Sequence, residues 1–287
     1  MFILYAIFSI KAWFISILPF QLLYIVSDFF YFLIYFIFKY RKDVINENLQ
    51  NAFPDFDSME RKRIAKQFYR NLGDIIVEII KTKQIRKKQL QERISFENFE
   101  IIEDLYSRKK SVIATIGHCG NWEWMPMALQ MRSKYMEFAV VKPLSNKFFN
   151  NFMNRVRRKF KKDGDLIPFK QTLKTLVKHK NDLTLTILAA DQTPHKDEIN
   201  YRTNFLNQDT PFFLGPEKIA KALDLAVIFI DTKRKKRGYY IASVHLITDS
   251  PKETPEQQIT ESYVHLLEKS IRANPDNWLW SHRRWKY

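Results

Sequence analysis

His118 and Glu123 stand five positions apart in "IGHCGNWEW" (116–124), with the only cysteine of the chain, Cys119, between them. Two of the six glycines, Gly117 and Gly120, lie in the same stretch. A histidine and a carboxylate are the parts of a general-base pair. Neutral imidazole takes a proton from an alcohol, while a carboxylate on its other nitrogen holds the ring and balances the charge that develops. On one continuous helix, five positions turn two side chains about 140° apart, so the pair needs a chain reversal between its members. "SVIATIG" (111–117) reads as a buried strand and a helix is expected from about Asn121, which is a good N-cap. The glycines permit the tight path between the two. Ligand sites of α/β sheets lie beyond the carboxyl ends of strands, where this stretch falls. Backbone N–H groups at the helix start can stabilise the oxyanion of an acyl-transfer intermediate. Spacing alone leaves a core histidine beside a helix cap equally open.

The stretch supplies no protein nucleophile. Cys119 directly follows His118, so at an extended strand end the two side chains diverge, which argues against a Cys–His dyad. No second histidine or cysteine stands nearby at ligand spacing, so no metal is expected, and no cofactor. The lone cysteine also excludes an intrachain disulfide and suggests a reducing compartment.

The elements that must position these residues follow from periodicity. Ile64, Phe68, Leu72, Ile75, Ile76 and Ile79 recur at helical spacing, predicting an amphipathic helix over Ser58–Lys81 with Ser58 as N-cap. Strands and helices then alternate: a strand at 136–141, a helix over 146–160, an extended "DLIPF", a helix in "KQTLKTLVKH" and a strand at 182–191. "GPEKIAKAL" reads as a helix. "LAVIFID" and "GYYIASVHLI" read as strands joined through "TKRKKRG" as an antiparallel hairpin, and a helix over 254–274 closes the chain. This alternation predicts an α/β fold with a mixed, mainly parallel central sheet flanked by helices.

At 287 residues and 46% hydrophobic composition the chain can bury a large core. From Ala12 to Phe38 the only charged residue is Asp28, and the run is long enough to cross a bilayer once. Pro19 and Asp28 interrupt it, so an interfacial helix pair also fits. A cleaved signal peptide fits poorly, because the run is too long and no small-residue cleavage site follows. "KYRK" (39–42) follows immediately, and basic residues beside an apolar segment mark the cytoplasmic side. The expected organisation is a membrane anchor over 1–40 and an α/β domain over 41–287. A net charge of +16 suits an anionic partner. No nucleic-acid-binding module accompanies the basic clusters, so nucleic acid is not expected. The remaining rival is a non-catalytic membrane scaffold.

"HCGNWE" resembles the H-x4-D/E motif of the lysophospholipid acyltransferase superfamily, with glutamate at the acidic position. The wider chain is similar to the lipid A (lauroyl/myristoyl-type) acyltransferase branch. The likeness runs through the apolar opening, "NLGDIIVEIIK", "GHCGNWEW", "VVKPLSN", "ILAADQTP" and the "WLWSHRRWKY" ending. It implies a glycerolipid-acyltransferase-like fold and a bacterial inner-membrane enzyme with its catalytic domain in the cytoplasm. His118 would be the general base on the acceptor hydroxyl, oriented by Glu123, with direct attack on an acyl thioester and no acyl-enzyme. Acyl-acyl carrier protein, or in its place acyl-CoA, would be the donor. A phosphorylated glycolipid would be the acceptor, with a glycerophospholipid, ornithine lipid or mannoside as the alternative acceptor, and anionic inner-membrane lipids the surroundings. Arg157 matches the family's helix arginine, with Arg155 as the fallback, and Asn121 joins them as a substrate-binding candidate. Asp191 and Gln192, in "ADQTP" at a strand end, stand as a second wall of the site or as a structural cap. "HKDEINYRTNFLNQDTPFFLGPEK" departs from the family by lacking the double-phenylalanine-glycine stretch of many relatives.

Overall fold

A computed structural model describes residues 2–160 and 163–287. Helix α1 (Phe2–Ile17) ends before Pro19, and α2 (Phe20–Phe32) continues through one π-helical turn, Leu33–Ile37. The stretch Phe20–Ile37 is long and apolar enough to cross a membrane by length and composition. α3 (Lys42–Ala52) leads to α4 (Ser58–Lys81), which has the expected bounds. Its N-cap is Asp57, one residue before the one expected, whose carboxylate accepts the Glu60 N–H at 2.7 Å. α4 is the helix on which the N-terminal pair rests: Leu23 and Ser27 of α2 are buried, and so are Ile64, Phe68 and Ile75 of α4.

After α4 come α5 (Lys87–Gln91), β1 (Ile94–Glu97), α6 (Glu100–Ser107), β2 (Val112–Ile116), α7 (Trp124–Arg132), β3 (Met136–Val141) and α8 (Lys147–Arg157). There follow β4 (Leu166–Pro168), α9 (Thr172–Lys178), β5 (Thr184–Ala189), β6 (Arg202–Phe205), β7 (Gln208–Pro211) and α10 (Gly215–Leu223). β8 (Ala226–Lys236), β9 (Tyr239–Thr248) and α11 (Gln258–Ala273) complete the chain. Seven strands form one sheet in the order β1-β9-β8-β2-β5-β3-β4, and β6 pairs with β7 separately. Within the seven-stranded sheet the pairings are parallel except β8 with β9, the antiparallel hairpin that was expected; β6 with β7 is antiparallel as well. The mixed, mainly parallel α/β class therefore holds.

Three local expectations change. The helix after β2 begins at Trp124 rather than Asn121, because the Asn121 side chain accepts the Trp124 N–H at 2.8 Å and sets a turn over 121–123. The helix expected over 146–160 stops at Arg157, and Lys161 and Lys162 of the basic run lie outside the described residues. The strand expected over 182–191 ends at Ala189, leaving Asp191 free to turn away from the sheet.

β2 is the centre of the sheet and every residue in it is buried. One face packs Ile116, Leu185 and Ile230 against Trp124. The other packs Phe229 and Leu188 against Tyr263, Leu267, Trp278 and Trp280. Burying an aliphatic or aromatic side chain of this size contributes about 1.5–3 kcal/mol, so the strand ends are fixed by core packing rather than by their loops.

Candidate active site

β2 and β5 are parallel neighbours, and Ile116 stands opposite Ala189. His118 is two residues beyond the first and Asp191 two residues beyond the second. That shared register brings them together: His118 Nδ1 lies 2.6 Å from Asp191 Oδ1, and the His118 backbone N–H donates to Oδ2 at 2.8 Å. Trp278 Nε1 donates to the same Oδ2 at 2.8 Å. The orienting carboxylate expected at Glu123 is thus Asp191 in the structure. Asp191, expected either as a second wall of the site or as a structural cap, lies against His118.

Glu123 has a different partner. Arg157 Nε and Nη2 donate to its two carboxylate oxygens at 2.8 and 2.6 Å, the bidentate geometry in which a guanidinium matches a carboxylate. α8 brings Arg157 to this position, whereas Arg155, two residues earlier, is exposed on the same helix. Arg155 lines an open cleft of about 560 Å³ with Asn151, Asn154, Arg158 and Lys159, and neither His118 nor Asp191 lines it. Gln192 is exposed, with Nε2 3.3 Å from His118 Nε2, so it faces the nitrogen that Asp191 leaves free. The edge of the His118 ring meets Trp122 at a centroid distance of 5.4 Å.

Asn121 is fully buried, which removes it from contact with substrate. Its Nδ2 donates to Glu78 Oε2 at 2.7 Å while its Oδ1 holds the Trp124 N–H, so it fixes the turn. The backbone donors expected at the helix start are partly taken: Gly120 N–H goes to the Asn277 carbonyl, and Trp124 and Met125 N–H go to the Asn121 carbonyl. Gly120 has φ +54°, and a Cβ there would lie 2.8 Å from the Thr232 carbonyl oxygen, so this turn requires glycine.

The electrostatics follow from the contacts. Burial acts to lower the His118 pKa, but the Asp191 charge and its hydrogen bond outweigh it and raise the imidazole above 6.5; Glu123 adds to the rise and Arg157 opposes it. Burial raises Asp191, but the His118 charge and hydrogen bonds, with Trp278, overcome this and hold it at about 2. Cys119 is buried, and desolvation with the nearby carboxylates Asp231 and Asp191 pushes its thiol well above the usual range. At neutral pH it is a protonated core residue and not a nucleophile.

Sequence reading missed three contributors. Trp278 comes from the terminal aromatic segment and lands on Asp191. His282, from the same segment, accepts the Thr193 N–H at Nε2 (3.2 Å), and burial chiefly lowers it to about 4. Glu78 lies inside α4 and carried no signal beyond a charge at a core-facing position.

A layered α/β protein with a carboxylate-held histidine beyond its strand ends has the parts of a general-base enzyme. The chain belongs to the bacterial lipid A biosynthesis acyltransferase family, whose model matches residues 2–287. Membership makes it an acyltransferase of lipid A biosynthesis. Comparison with curated proteins finds no match.

Proposed function

We propose that this chain is a membrane-bound O-acyltransferase of late lipid A assembly. It moves a fatty acyl group from acyl-acyl carrier protein to a hydroxyl of a phosphorylated lipid A precursor at the cytoplasmic face of the bacterial inner membrane. The observation that carries the mechanism is the His118–Asp191 contact at 2.6 Å, with Nε2 left facing Gln192. Asp191 fixes the tautomer that carries hydrogen on Nδ1, so the Nε2 lone pair is the basic site. The acceptor hydroxyl gives its proton to Nε2 as its oxygen attacks the thioester carbonyl. The tetrahedral oxyanion collapses, the carbon–sulfur bond breaks, and the imidazolium returns the proton to the leaving thiolate. An ester and a free carrier thiol result, with no acyl-enzyme.

Arg157 is close enough to oppose protonation of His118. Held by Glu123, it is the cation placed to offset the oxyanion or an acceptor phosphate. Glu123 acts on the reaction through Arg157 rather than through the imidazole.

The test compares lipid A by mass spectrometry from cells carrying the wild-type chain, the His118→Ala chain or none. The expected result is one acyl group present only with the wild type. Purified protein given acyl-acyl carrier protein and acyl-CoA in parallel assigns the donor. Unchanged lipid A in all three strains sinks the acceptor assignment, and transfer to another lipid acceptor in the purified assay then replaces it.

A further inference from the structure

The outward residues of the two N-terminal helices form stripes rather than a belt. On α2, Leu22, Ile25, Phe29 and Phe32 are exposed, and Phe36, Ile37 and Phe38 are exposed at and just beyond its π-helical end. At about 100° per residue the four on α2 fall within about 40° of a single line along the helix. Leu23 and Ser27, on the opposite side, are buried against α4, where the Ser27 hydroxyl donates to Asp74 Oδ1 at 2.5 Å. On α1 the exposed residues are Ile10, Trp13, Phe14 and Ile17, again one stripe, with Ala12 and Ser16 buried behind it.

Charge marks the flank of the α2 stripe. Asp28 lies about 80° from its line and forms an ion pair with Arg237 at 2.6 Å, and both side chains are exposed, 58% and 37%. Arg237, at the tip of the β8–β9 hairpin, also binds the buried Asp74 of α4 at 2.8 Å. Arg234 bonds Asp74 too, and Lys235 and Lys236 of the same tip are exposed. Along the helix, Asp28 is roughly 12–14 Å from either end of Phe20–Ile37 at 1.5 Å per residue. A crossing α2 would therefore carry this exposed ion pair, and the lysines beside it, to the middle of the hydrocarbon. Charges there are costly unless they face a protein interior or a water-filled cavity. Arg237 turns partly inward to Asp74, but 58% of the Asp28 side chain and 37% of the Arg237 side chain stay exposed, and Lys235 and Lys236 are exposed beside them.

From these positions we infer that α1 and α2 lie flat in one leaflet and do not cross the bilayer. This rests on the reading of the chain as a membrane-bound enzyme. The two apolar stripes enter the acyl-chain region, as the apolar face of an interfacial helix does, to a depth of about 5–10 Å. Asp28, Arg237 and the hairpin tip sit at headgroup level. The exposed cations Lys11, Lys39, Lys42, Lys235 and Lys236 rim the stripes, which suits an anionic lipid surface.

Single cysteines test this in the full-length chain with Cys119→Ser as background. Leu22→Cys, Phe29→Cys and Phe36→Cys carry a fluorophore in vesicles of phosphatidylethanolamine and phosphatidylglycerol, and lipids bearing nitroxides at two depths report its position. All three are expected at one shallow depth. A deepest reading at position 29 with shallow readings at 22 and 36 overturns the inference. Lys11→Cys and Lys39→Cys are expected to react with an impermeant maleimide from the same side of sealed vesicles; reaction of one only after permeabilisation also overturns it. Self-crosslinking through Phe29→Cys without nitroxide quenching assigns the face to a second copy instead and overturns it as well. Turnover in detergent micelles reads the acyltransferase assignment separately, so either can fail alone.

Discussion

At the level of single residues, the two carboxylates of the site hold different partners. Asp191 takes the imidazole and Glu123 takes the guanidinium. Their substitutions should therefore differ in kind. Asp191→Asn removes the main influence that raises His118 and leaves the burial that lowers it. The acid limb of kcat/KM, which should lie above pH 6.5 in the wild type because only neutral imidazole is a base, should move to lower pH. Turnover should fall about 10²–10⁴-fold, the range expected when a positioned general base is lost. Glu123→Gln should move the limb down less, since its charge contributes less to His118, and should cost activity through Arg157. A steady-state pH profile of both variants checks this; a larger shift for Glu123→Gln would restore the pairing first expected. Cys119→Ser should leave turnover within about twofold, because a buried protonated thiol takes no part in transfer. Loss of activity with folding intact would reopen an acyl-thioester intermediate.

Elements explain why this division was hard to see. α4 was legible to its last residue because six apolar side chains repeat at helical spacing with a capping residue in front. The two strands were legible too, though the second ends two residues earlier than expected, and Glu123 and Asp191 were both candidates. What sequence lacks is the sheet order, which makes β5 rather than another strand the neighbour of β2. β1 and β6–β7 escaped because runs of four residues carry too little alternation to stand out. Glu78 shows the same limit within a recognised helix. Its partners, Tyr24 at 2.9 Å, Asn121 at 2.7 Å and Tyr240 at 2.7 Å, come from three separate parts of the chain. Burial is the main cause that raises its carboxyl from the ordinary 4.5 to about 7. A raised pKa means that the folded state holds the proton more tightly than the unfolded one. The stabilisation is therefore full below about pH 4.5 and is lost as pH rises through about 7. Glu78→Gln should lack this dependence, so the Tm difference between wild type and variant should change steadily in the variant's favour across that window. Glu78→Ala, which strands three buried donors, should cost about 2–4 kcal/mol by denaturant unfolding. A pH-independent Tm difference between wild type and Glu78→Gln would show that the carboxyl is already ionised throughout.

On the scale of the whole molecule, the chain carries a net charge of +16, which the proposed acidic donor would meet. An acidic carrier protein steered by such a surface should show a kcat/KM that falls about tenfold between roughly 0.05 and 0.5 M salt with kcat nearly constant. A salt-insensitive kcat/KM would favour a donor recognised without its charge. The N-terminal region also has a structural debt to the rest of the chain that a removable anchor would not. Lys81 at the end of α4 donates to the Ser16 and Leu18 carbonyls at 2.9 and 2.6 Å. Tyr69 donates to the Tyr40 carbonyl at 2.7 Å, and Tyr24 holds Glu78, which in turn holds Asn121 in the catalytic turn. Removing residues 1–40 would strip these contacts and expose the surface of α4 that buries Leu23. Losing one such aliphatic contact and these four hydrogen bonds amounts to about 3 kcal/mol or more. For a domain of this size that lowers Tm by about 6–12 °C. The truncated chain should therefore melt earlier and lose turnover even in detergent, where no membrane has to be found. A truncated chain that kept the full-length Tm and turnover in micelles would instead make the segment a dispensable tether, with the catalytic turn supported by α4 alone.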